Sequence, residues 1–307
     1  MAHDHPHACS HGHAHIHAHG HGNNGRGLLP ATLLTLGFAG VEALAGAWSG
    51  SLALIGDAGH MVNDGVALAL AAAAAWVARR PPSHRHTYGL GRAEVLAALL
   101  NSLAMLALVV AILVEAVERF HTPAPVAGPA VMAVAVGGLL VNVLVAWILS
   151  RGDSHSLNTR AALLHVMGDM LGSVAAIAAG AIVYYTGWRQ ADPLLAAGIA
   201  LLISLSSLRL LKEALHALME ATPRHLSSAD IQAALADTDG VLGVYDLHVW
   251  SVGDGETMLT AHLQIARLED WPTILAALRR TLQERWAISH ATLQPETGPI
   301  QPLHRIG

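Results

Sequence analysis

A chain of 307 residues that is 53% hydrophobic and only 13% charged departs from the composition of soluble globular proteins. Its formal net charge of −5 at pH 7 gives no reason to expect a nucleic acid as partner. The single cysteine cannot form an internal disulfide. Composition therefore predicts a membrane protein whose main partner is the lipid bilayer.

The first 27 residues form a tail rich in histidine. Nine histidines alternate there, mostly with small residues: His3, His5, His7, His11, His13, His15, His17, His19 and His21. Such a segment has no apolar core to fold around, so we predict a disordered cytoplasmic tail that collects or buffers metal ions. A solubilising tail without a role in metal handling is the alternative.

Six apolar stretches follow, each close to the roughly 20 residues that cross a hydrocarbon core. They cover about residues 28–49, 52–78, 95–117, 126–149, 161–185 and 192–211. Charged residues return from about Pro223, and no spanning stretch occurs beyond it. We therefore predict an all-α bundle of six transmembrane helices over residues 28–213, a small cytoplasmic domain over 214–298 and a short tail over 299–307.

Arginines near the ends of the spans predict the orientation. The loops after spans two and four hold six of them: Arg79, Arg80, Arg85, Arg92, Arg151 and Arg160. The opposite side offers only Arg119 and Arg189. Because cytoplasmic loops carry the excess of positive charge, we predict that both termini are cytoplasmic.

Two of the spans contain the same His-x-x-x-Asp spacing. Span two has His60 and Asp64, and span five has His165 and Asp169. Residues four apart lie on one face of a helix, so each span presents an imidazole next to a carboxylate. Two such faces supply two nitrogens and two oxygens, a ligand set that suits the tetrahedral preference of Zn²⁺. The spacing therefore predicts a divalent metal site within the bilayer.

The cost of burying these groups favours a functional site over simple packing. An aspartate at mid-helix costs roughly 2.5 to 3.5 kcal/mol, so Asp64 and Asp169 together cost about 5 to 7 kcal/mol unless something compensates. A bound cation would compensate. A packing histidine would explain one pair but not two identical ones. Asp57 lies on the same face as His60 and is predicted to be an accessory group.

Glycines on both spans predict how the two halves of the site meet. Gly168 and Gly172 form a step of small residues beside the ligands of span five, and Gly56 and Gly59 lie beside those of span two. Small residues let helix backbones approach closely. We therefore predict that spans two and five touch at the metal.

The remaining polar residues of the spans have mainly structural interpretations. Asn101 and Asn142 are predicted to form hydrogen bonds between helices. Asp192, followed by proline, is predicted to cap the start of span six. Glu42, a single acid in span one, is either a functional intramembrane group or a residue near a helix end that reaches the interface.

The soluble domain alternates helix and strand patterns. Residues 227–237 and 271–286 have helical periodicity, whereas 241–251, 257–266 and 289–294 read as strands. The predicted fold is α+β with the order α-β-β-α-β.

Four separated motifs follow one another along the chain: Asp57-Ala-Gly-His60-Met-Val-Asn-Asp64, His86-Thr-Tyr-Gly-Leu-Gly-Arg-Ala-Glu94, Asn158-Thr-Arg-Ala-Ala-Leu-Leu-His165-Val-Met-Gly-Asp169 and Leu247-His248-Val-Trp250. Together and in this order they resemble the cation diffusion facilitator family. The resemblance covers nearly everything outside the tail. Within the family, the chain is most similar to the bacterial zinc exporters that have His and Asp on both site helices.

This resemblance implies a homodimeric six-helix transporter of the inner (plasma) membrane. Its substrate would be Zn²⁺, with Co²⁺, Cd²⁺ and Ni²⁺ as further candidates, exported in exchange for protons. The transport site of the family corresponds to His60, Asp64, His165 and Asp169. The chain would then confer metal homeostasis or resistance.

The resemblance also implies metal sites outside the bilayer. The C-terminal domain resembles a small metallochaperone-like domain that dimerises, and its candidate zinc ligands are His248, His262, His290 and Glu296. Some family members carry a three-ligand site in the loop after span two. Here only His86 matches, because Ser83 and Leu90 occupy the other two positions, and His84 is a further candidate.

The ligand chemistry favours exchange of metal for protons. Imidazole and carboxylate bind a metal only when deprotonated, so metal and protons compete for them. Histidine titrates near neutral pH, so an inward proton gradient would unload the ion at the outer face. A hydrolytic zinc enzyme is a second interpretation, but the sequence lacks His-Glu-x-x-His. A membrane-anchored metal sensor or buffer is a third, although an anchor needs no paired ligands in the bilayer.

Overall fold

The computed structural model describes residues 25–150, 157–253 and 256–298. Most of the predicted histidine-rich tail, together with the predicted tail over 299–307, lies outside these residues. The described chain contains six long apolar helices followed by a small domain of helices and strands, which confirms the predicted fold class.

Six helices of the described residues are long and apolar enough to cross a membrane. They are α1 (Gly25–Ser49), α2 (Leu52–Ala78), α3 (Arg92–His121), α4 (Gly128–Ser150), α5 (Leu157–Thr186) and α6 (Ala191–Leu218). The helices α3, α5 and α6 extend beyond the apolar stretches that predicted them. Their extra turns contain polar residues such as Arg92 and Lys212, which a search for apolar runs leaves out.

Large apolar side chains cover the outside of these helices. Leu44 and Trp48 on α1 are 77% and 80% exposed, and Tyr185 near the end of α5 is 80% exposed. So many exposed apolar groups require an apolar solvent. The two aromatic residues lie near helix ends, where aromatic side chains mark the membrane interface.

The described residues form two compact units. The first combines the chain up to Ala72 with Asn101–Leu208, and the second combines Ala73–Leu100 with the chain from Arg209 onwards. The second unit thus takes in a segment that the sequence assigns to the membrane bundle.

Small residues determine how closely α4 and α5 pack in the first unit. Gly128 and Gly180 lie against each other, and a Cβ added to either would stand 2.7 or 2.9 Å from the carbonyl oxygen of the other. Fully buried Val131, Ala135 and Ala176 belong to the same core. Because glycine has no side chain, the two helix backbones can approach each other closely at this point.

A buried carboxylate holds the start of α2. Asp192 on α6 is fully buried and accepts hydrogen bonds from Ser51 Oγ at 2.5 Å and from the Leu52 amide at 2.6 Å. Its side chain therefore caps α2, whereas the sequence predicted that it caps α6. The reason is tertiary: the free amide groups at the buried N-terminus of α2 need an acceptor, and a carboxylate also complements the helix dipole.

The second unit contains the C-terminal domain. Its elements are α7 (Ser228–Ala236), β1 (Val241–Ser251), β2 (Thr257–Ile265), α8 (Trp271–Trp286) and β3 (His290–Glu296). The strands lie in the order β1-β2-β3, with β1 antiparallel and β3 parallel to β2. Buried Ile231, Leu235, Leu259, Leu263 and Leu278 form the core between helices and sheet.

The loop between α2 and α3 packs on this domain within the second unit. A Cβ on Gly91 would stand 2.7 Å from the carbonyl oxygen of Val252, so the contact requires glycine. Arg92 donates a hydrogen bond to Glu220 at 2.6 Å. The loop is thus joined to the C-terminal domain by close backbone packing and by an ion pair.

We expect Asp192→Ala to destabilise the protein by about 1 to 3 kcal/mol, because buried donors at the start of α2 would lose their acceptor. Asp192→Asn keeps one acceptor oxygen and should lose less. Thermal unfolding in detergent, followed by tryptophan fluorescence, measures both effects. Equal unfolding midpoints for Asp192→Ala and the wild type would contradict this role.

Candidate metal centre

The two His-x-x-x-Asp pairs meet in the first unit. His60 and Asp64 project from α2, and His165 and Asp169 project from α5. Across the two helices, His165 Nε2 lies 3.1 Å from Asp64 Oδ2, and His60 Nε2 lies 3.7 Å from Asp169 Oδ1. Within each helix, the imidazole and carboxylate atoms are 3.4 and 3.8 Å apart. The predicted contact of spans two and five at these residues is therefore present.

These distances match the edges of a tetrahedron around a small ion. Bonds of about 2.0 to 2.1 Å to Zn²⁺ place tetrahedral ligand atoms about 3.3 to 3.4 Å apart. The four separations between imidazole and carboxylate atoms run from 3.1 to 3.8 Å. The separations between the two imidazoles and between the two carboxylates are the remaining two edges. His60, His165 and Asp169 already lie close enough to share one ion, and a shift of the Asp64 side chain would bring in the fourth ligand.

The cluster is buried on one side and open on the other. Asp169 is 5% exposed, His60 is 17% exposed and His165 is 41% exposed. Asp64 Oδ2 is buried and has no hydrogen-bond donor of suitable geometry among the described residues. A buried oxygen without a donor favours a cation as its partner. His165 is thus the least buried of the four side chains.

Of the four glycines beside the ligands, only Gly172 lies at the contact between α2 and α5. Gly172 of α5 lies against Asp57 of α2, where an added Cβ would stand 2.9 Å from the carboxylate, so it supports the approach of the two helices. Gly168 has no neighbour within 4 Å of an added Cβ. Gly56 and Gly59 face Ile112 and Leu108 of α3 instead of α5. The prediction for these two was wrong because they lie on a different side of α2 from its contact with α5.

The other polar residues of the spans pair as expected. Asn63 donates to Asn101 at 3.0 Å, and buried Asn142 donates to Ser173 at 3.4 Å. Both asparagines thus form the hydrogen bonds between helices that the sequence predicts. Asp57 lies behind the four-residue cluster, 5% exposed, in the wall of a small cavity that it shares with His60.

The C-terminal domain gathers part of its predicted ligand set. His262 Nδ1 lies 2.7 Å from Glu296, and its Nε2 lies 3.8 Å from Asp246. Asp246 also lies 3.0 Å from His248 Nε2 and so connects the two histidines. Asp246 was not predicted as a site residue, although its position two residues before His248 on one strand places both side chains on the same face. Its φ of 51° lies at an irregularity in β1, which no strand pattern predicts.

His290 does not join this cluster. It pairs with Met258 at one end of β3, whereas Glu296 pairs with Gln264 at the other end. Six residues of strand separate His290 from Glu296 by roughly 20 Å. The predicted set of His248, His262, His290 and Glu296 is therefore not assembled within one chain.

The loop histidines also stay apart from any cluster. His84 and His86 are exposed, and the His86 amide closes a turn onto Ser83. Among the described residues, the only group of three or more ligand-type side chains close enough to share an ion contains His60, His165 and Asp169. Among the described residues, His84 and His86 therefore belong to no group of three ligands that could hold a metal ion.

Hydrogen bonds set the ionisation of Glu296. Its carboxylate accepts from the Tyr245 hydroxyl, from His262 and, at 3.1 Å, from Gln294. The Tyr245 hydrogen bond is the main cause that lowers the pKa of Glu296, with His262 second. The same hydrogen bond raises the pKa of Tyr245 to about 12.

We expect Glu296 to make the sheet sensitive to acid. Because its pKa is lowered in the folded chain, its stabilising effect is complete above its ordinary pKa of 4.5 and is lost as the pH falls through the folded value. Wild type and Glu296→Gln can be compared by hydrogen exchange of β2 and β3 peptides at matched pH, in the presence of a chelator. Wild type should be better protected at pH 7, and the difference should shrink as the pH falls below 4.5. A difference that is constant over this range would contradict the prediction.

Comparison with known proteins agrees with this architecture. Residues 28–219 match the family model for the cation efflux transmembrane domain, and residues 223–298 match that for the cytoplasmic domain of cation efflux proteins. A zinc transporter of Escherichia coli (strain K12), ZitB, is 43% identical over 99% of this chain and 94% of its own. A cadmium, cobalt and zinc/H⁺-K⁺ antiporter of Bacillus subtilis (strain 168) is 38% identical over 89% of both chains.

A solved structure also matches part of the chain. It is the metal-bound C-terminal domain of the CzcD transporter from Cupriavidus metallidurans, 28% identical, covering 23% of this chain and 99% of that one, with a TM-score of 0.22.

The six membrane-capable helices, the His/Asp cluster between α2 and α5 and the two family matches define a membrane transporter for metal cations. The chain belongs to the cation efflux family, the cation diffusion facilitators.

Proposed function

We propose that this protein exports Zn²⁺ from the cytoplasm in exchange for protons, with His60, Asp64, His165 and Asp169 as the ligands of the transported ion. The observation that carries the proposal is the set of four separations of 3.1 to 3.8 Å between their nitrogen and oxygen atoms. The relatives named as zinc transporters support zinc as the substrate.

Proton exchange follows from the ligand types. A bare site with neutral imidazoles and ionised carboxylates binds Zn²⁺, whereas protons on the same groups exclude it. An ion bound on one side of the membrane is released on the other when protons take its ligands. The relative named as an H⁺-K⁺ antiporter supports this coupling.

The donor set also limits the range of metals. Two imidazoles and two carboxylates in a tetrahedral arrangement favour Zn²⁺ over Mg²⁺ or Mn²⁺, which prefer six oxygens. Co²⁺, Cd²⁺ and Ni²⁺ accept similar ligands and are expected to compete. Four protein ligands leave no open coordination position, which a hydrolytic zinc enzyme needs.

The arginine-rich loops after α2 and α4 support an orientation with both termini in the cytoplasm. The membrane would be the inner membrane of a bacterium. A homodimer is supported by the match of residues 223–298 to a family of dimerisation domains.

We also propose that His248, His262 and Glu296, joined by Asp246, bind a second zinc ion in the cytoplasmic domain. The observation behind it is a row of contacts, in which His262 contacts Glu296 and Asp246, and Asp246 contacts His248. These side chains would have to converge further to share one ion.

The domain boundaries follow the same division. We assign residues 28–213 to transport and 214–298 to dimerisation and metal binding, with residues 1–27 collecting metal for the site. The two family matches, which meet between residues 219 and 223, support a boundary in this region.

Loss of either half of the cluster should abolish transport. We expect Asp64→Ala and His165→Ala to lower zinc uptake into proteoliposomes, driven by an imposed pH gradient, at least about 100-fold, because each removes a zinc ligand that also exchanges a proton. Matched controls are Glu118→Ala and His121→Ala, which remove an exposed acid and an exposed histidine of α3. If Asp64→Ala or His165→Ala transports like these controls, the assignment of the site fails.

Removal of residues 2–22 should reduce the supply of zinc to the transport site and leave the transport step itself unchanged. We expect the truncated protein to show slower uptake at low zinc concentration and the wild-type maximum rate at high zinc, because a weakly binding histidine tract only raises the local concentration of metal. Initial rates over a range of zinc concentrations measure this. A reduced maximum rate at saturating zinc would contradict the proposed role.

A further inference from the structure

A second acidic group is buried in the first unit outside the four-residue cluster. Glu42 on α1 is 1% exposed, and its Oε2 has no hydrogen-bond partner among the described residues. Within the same residues it takes part in no ion pair. A carboxylate in this position is costly to ionise, because the low-dielectric interior does not solvate its charge, and a cation nearby would lower that cost.

The chain makes room for this side chain. A Cβ on Gly138 of α4 would stand 2.6 Å from Glu42 Oε1, so the carboxylate occupies the space that any other residue would fill. Ser173 Oγ of α5 would lie 3.3 Å from the same added Cβ of Gly138, and it accepts a hydrogen bond from Asn142. Glu42 Oε1 and the Ser173 hydroxyl therefore both lie next to Gly138, and Ser173 connects this place to the Asn142 amide. These neutral groups accommodate a protonated acid and offer too few oxygens for a metal ion.

Charges on two other helices act on Glu42. The titratable groups that interact with it are the carboxylates of Asp57 on α2 and Asp169 on α5, whereas α4 presents Gly138 and the amide of Asn142. Asp169 belongs to the proposed transport site. A doubly charged ion bound there would offset the negative charge of Asp169 at Glu42. Release of the ion would restore that negative charge.

We propose that Glu42 is a proton-binding site of the transporter, protonated when the His/Asp cluster is empty and deprotonated when it holds a divalent cation. The proposal rests on the proposed function, since it assigns one of the exchanged protons to a residue outside the ligand set. Glu42 Oε2, which has no hydrogen-bond partner among the described residues, is the oxygen that is free to carry this proton.

The test counts the protons released when the full-length protein in detergent binds Zn²⁺. Calorimetric titrations in buffers of different ionisation enthalpy give this number for the wild type, Glu42→Gln and the control Glu118→Gln, which removes an exposed acid of α3. We expect Glu42→Gln to release up to about one proton fewer per ion while its zinc Kd changes less than threefold. Glu118→Gln should release as many protons as the wild type.

Other outcomes separate the two proposals. Equal proton release by Glu42→Gln and wild type overturns the role of Glu42 and leaves zinc transport intact. A loss of zinc affinity of more than tenfold in Glu42→Gln also overturns it, because it would make Glu42 a ligand. If Glu42→Gln does not fold, Glu42→Asp keeps an acid there and must release as many protons as the wild type. Absence of zinc binding by the wild type would instead refute the proposed function.

Discussion

The cost of placing carboxylates in a bilayer is the constraint on which this membrane unit depends. Asp64 and Asp169 are tolerated because each lies within 4 Å of an imidazole from its own helix and of one from the neighbouring helix. Such contacts exist only if α2 and α5 keep their distance and rotation. Gly172, which lies against Asp57, helps to keep α5 beside α2, while Asp192 holds the start of α2. The packing of α2 against α5 therefore determines the geometry of the ligands.

Much of this architecture could be predicted from periodicity and composition. The six spans were predictable because a hydrocarbon core requires about 20 apolar residues in a row. Their polar extensions were not, since Arg92 and Lys212 begin or continue helices without adding to an apolar run. The two His-x-x-x-Asp pairs were predictable because residues four apart share a helix face whatever the tertiary fold.

Residues whose role depends on the tertiary structure could not be assigned in this way. Asp192 has the local sequence of a cap for its own helix, but a distant helix start supplies its donors. Asp246 contacts two histidines because the backbone of β1 is irregular there. Gly56 and Gly59 lie next to the ligands in sequence, but they face α3. In each case a contact between distant elements decides the role, and spacing along the chain gives no information on it.

The charge of the proposed site suggests why metal and protons should exchange rather than leak. With neutral imidazoles, the two carboxylates give the empty cluster a charge of about −2, which is costly in a medium of low dielectric constant. One Zn²⁺ cancels that charge, and so do two protons. Rearrangement of the helices around the cluster is therefore easier in either loaded form than in the empty one. This difference would couple outward movement of the metal to inward movement of protons, and a further proton on Glu42 would extend the same compensation beyond the ligands.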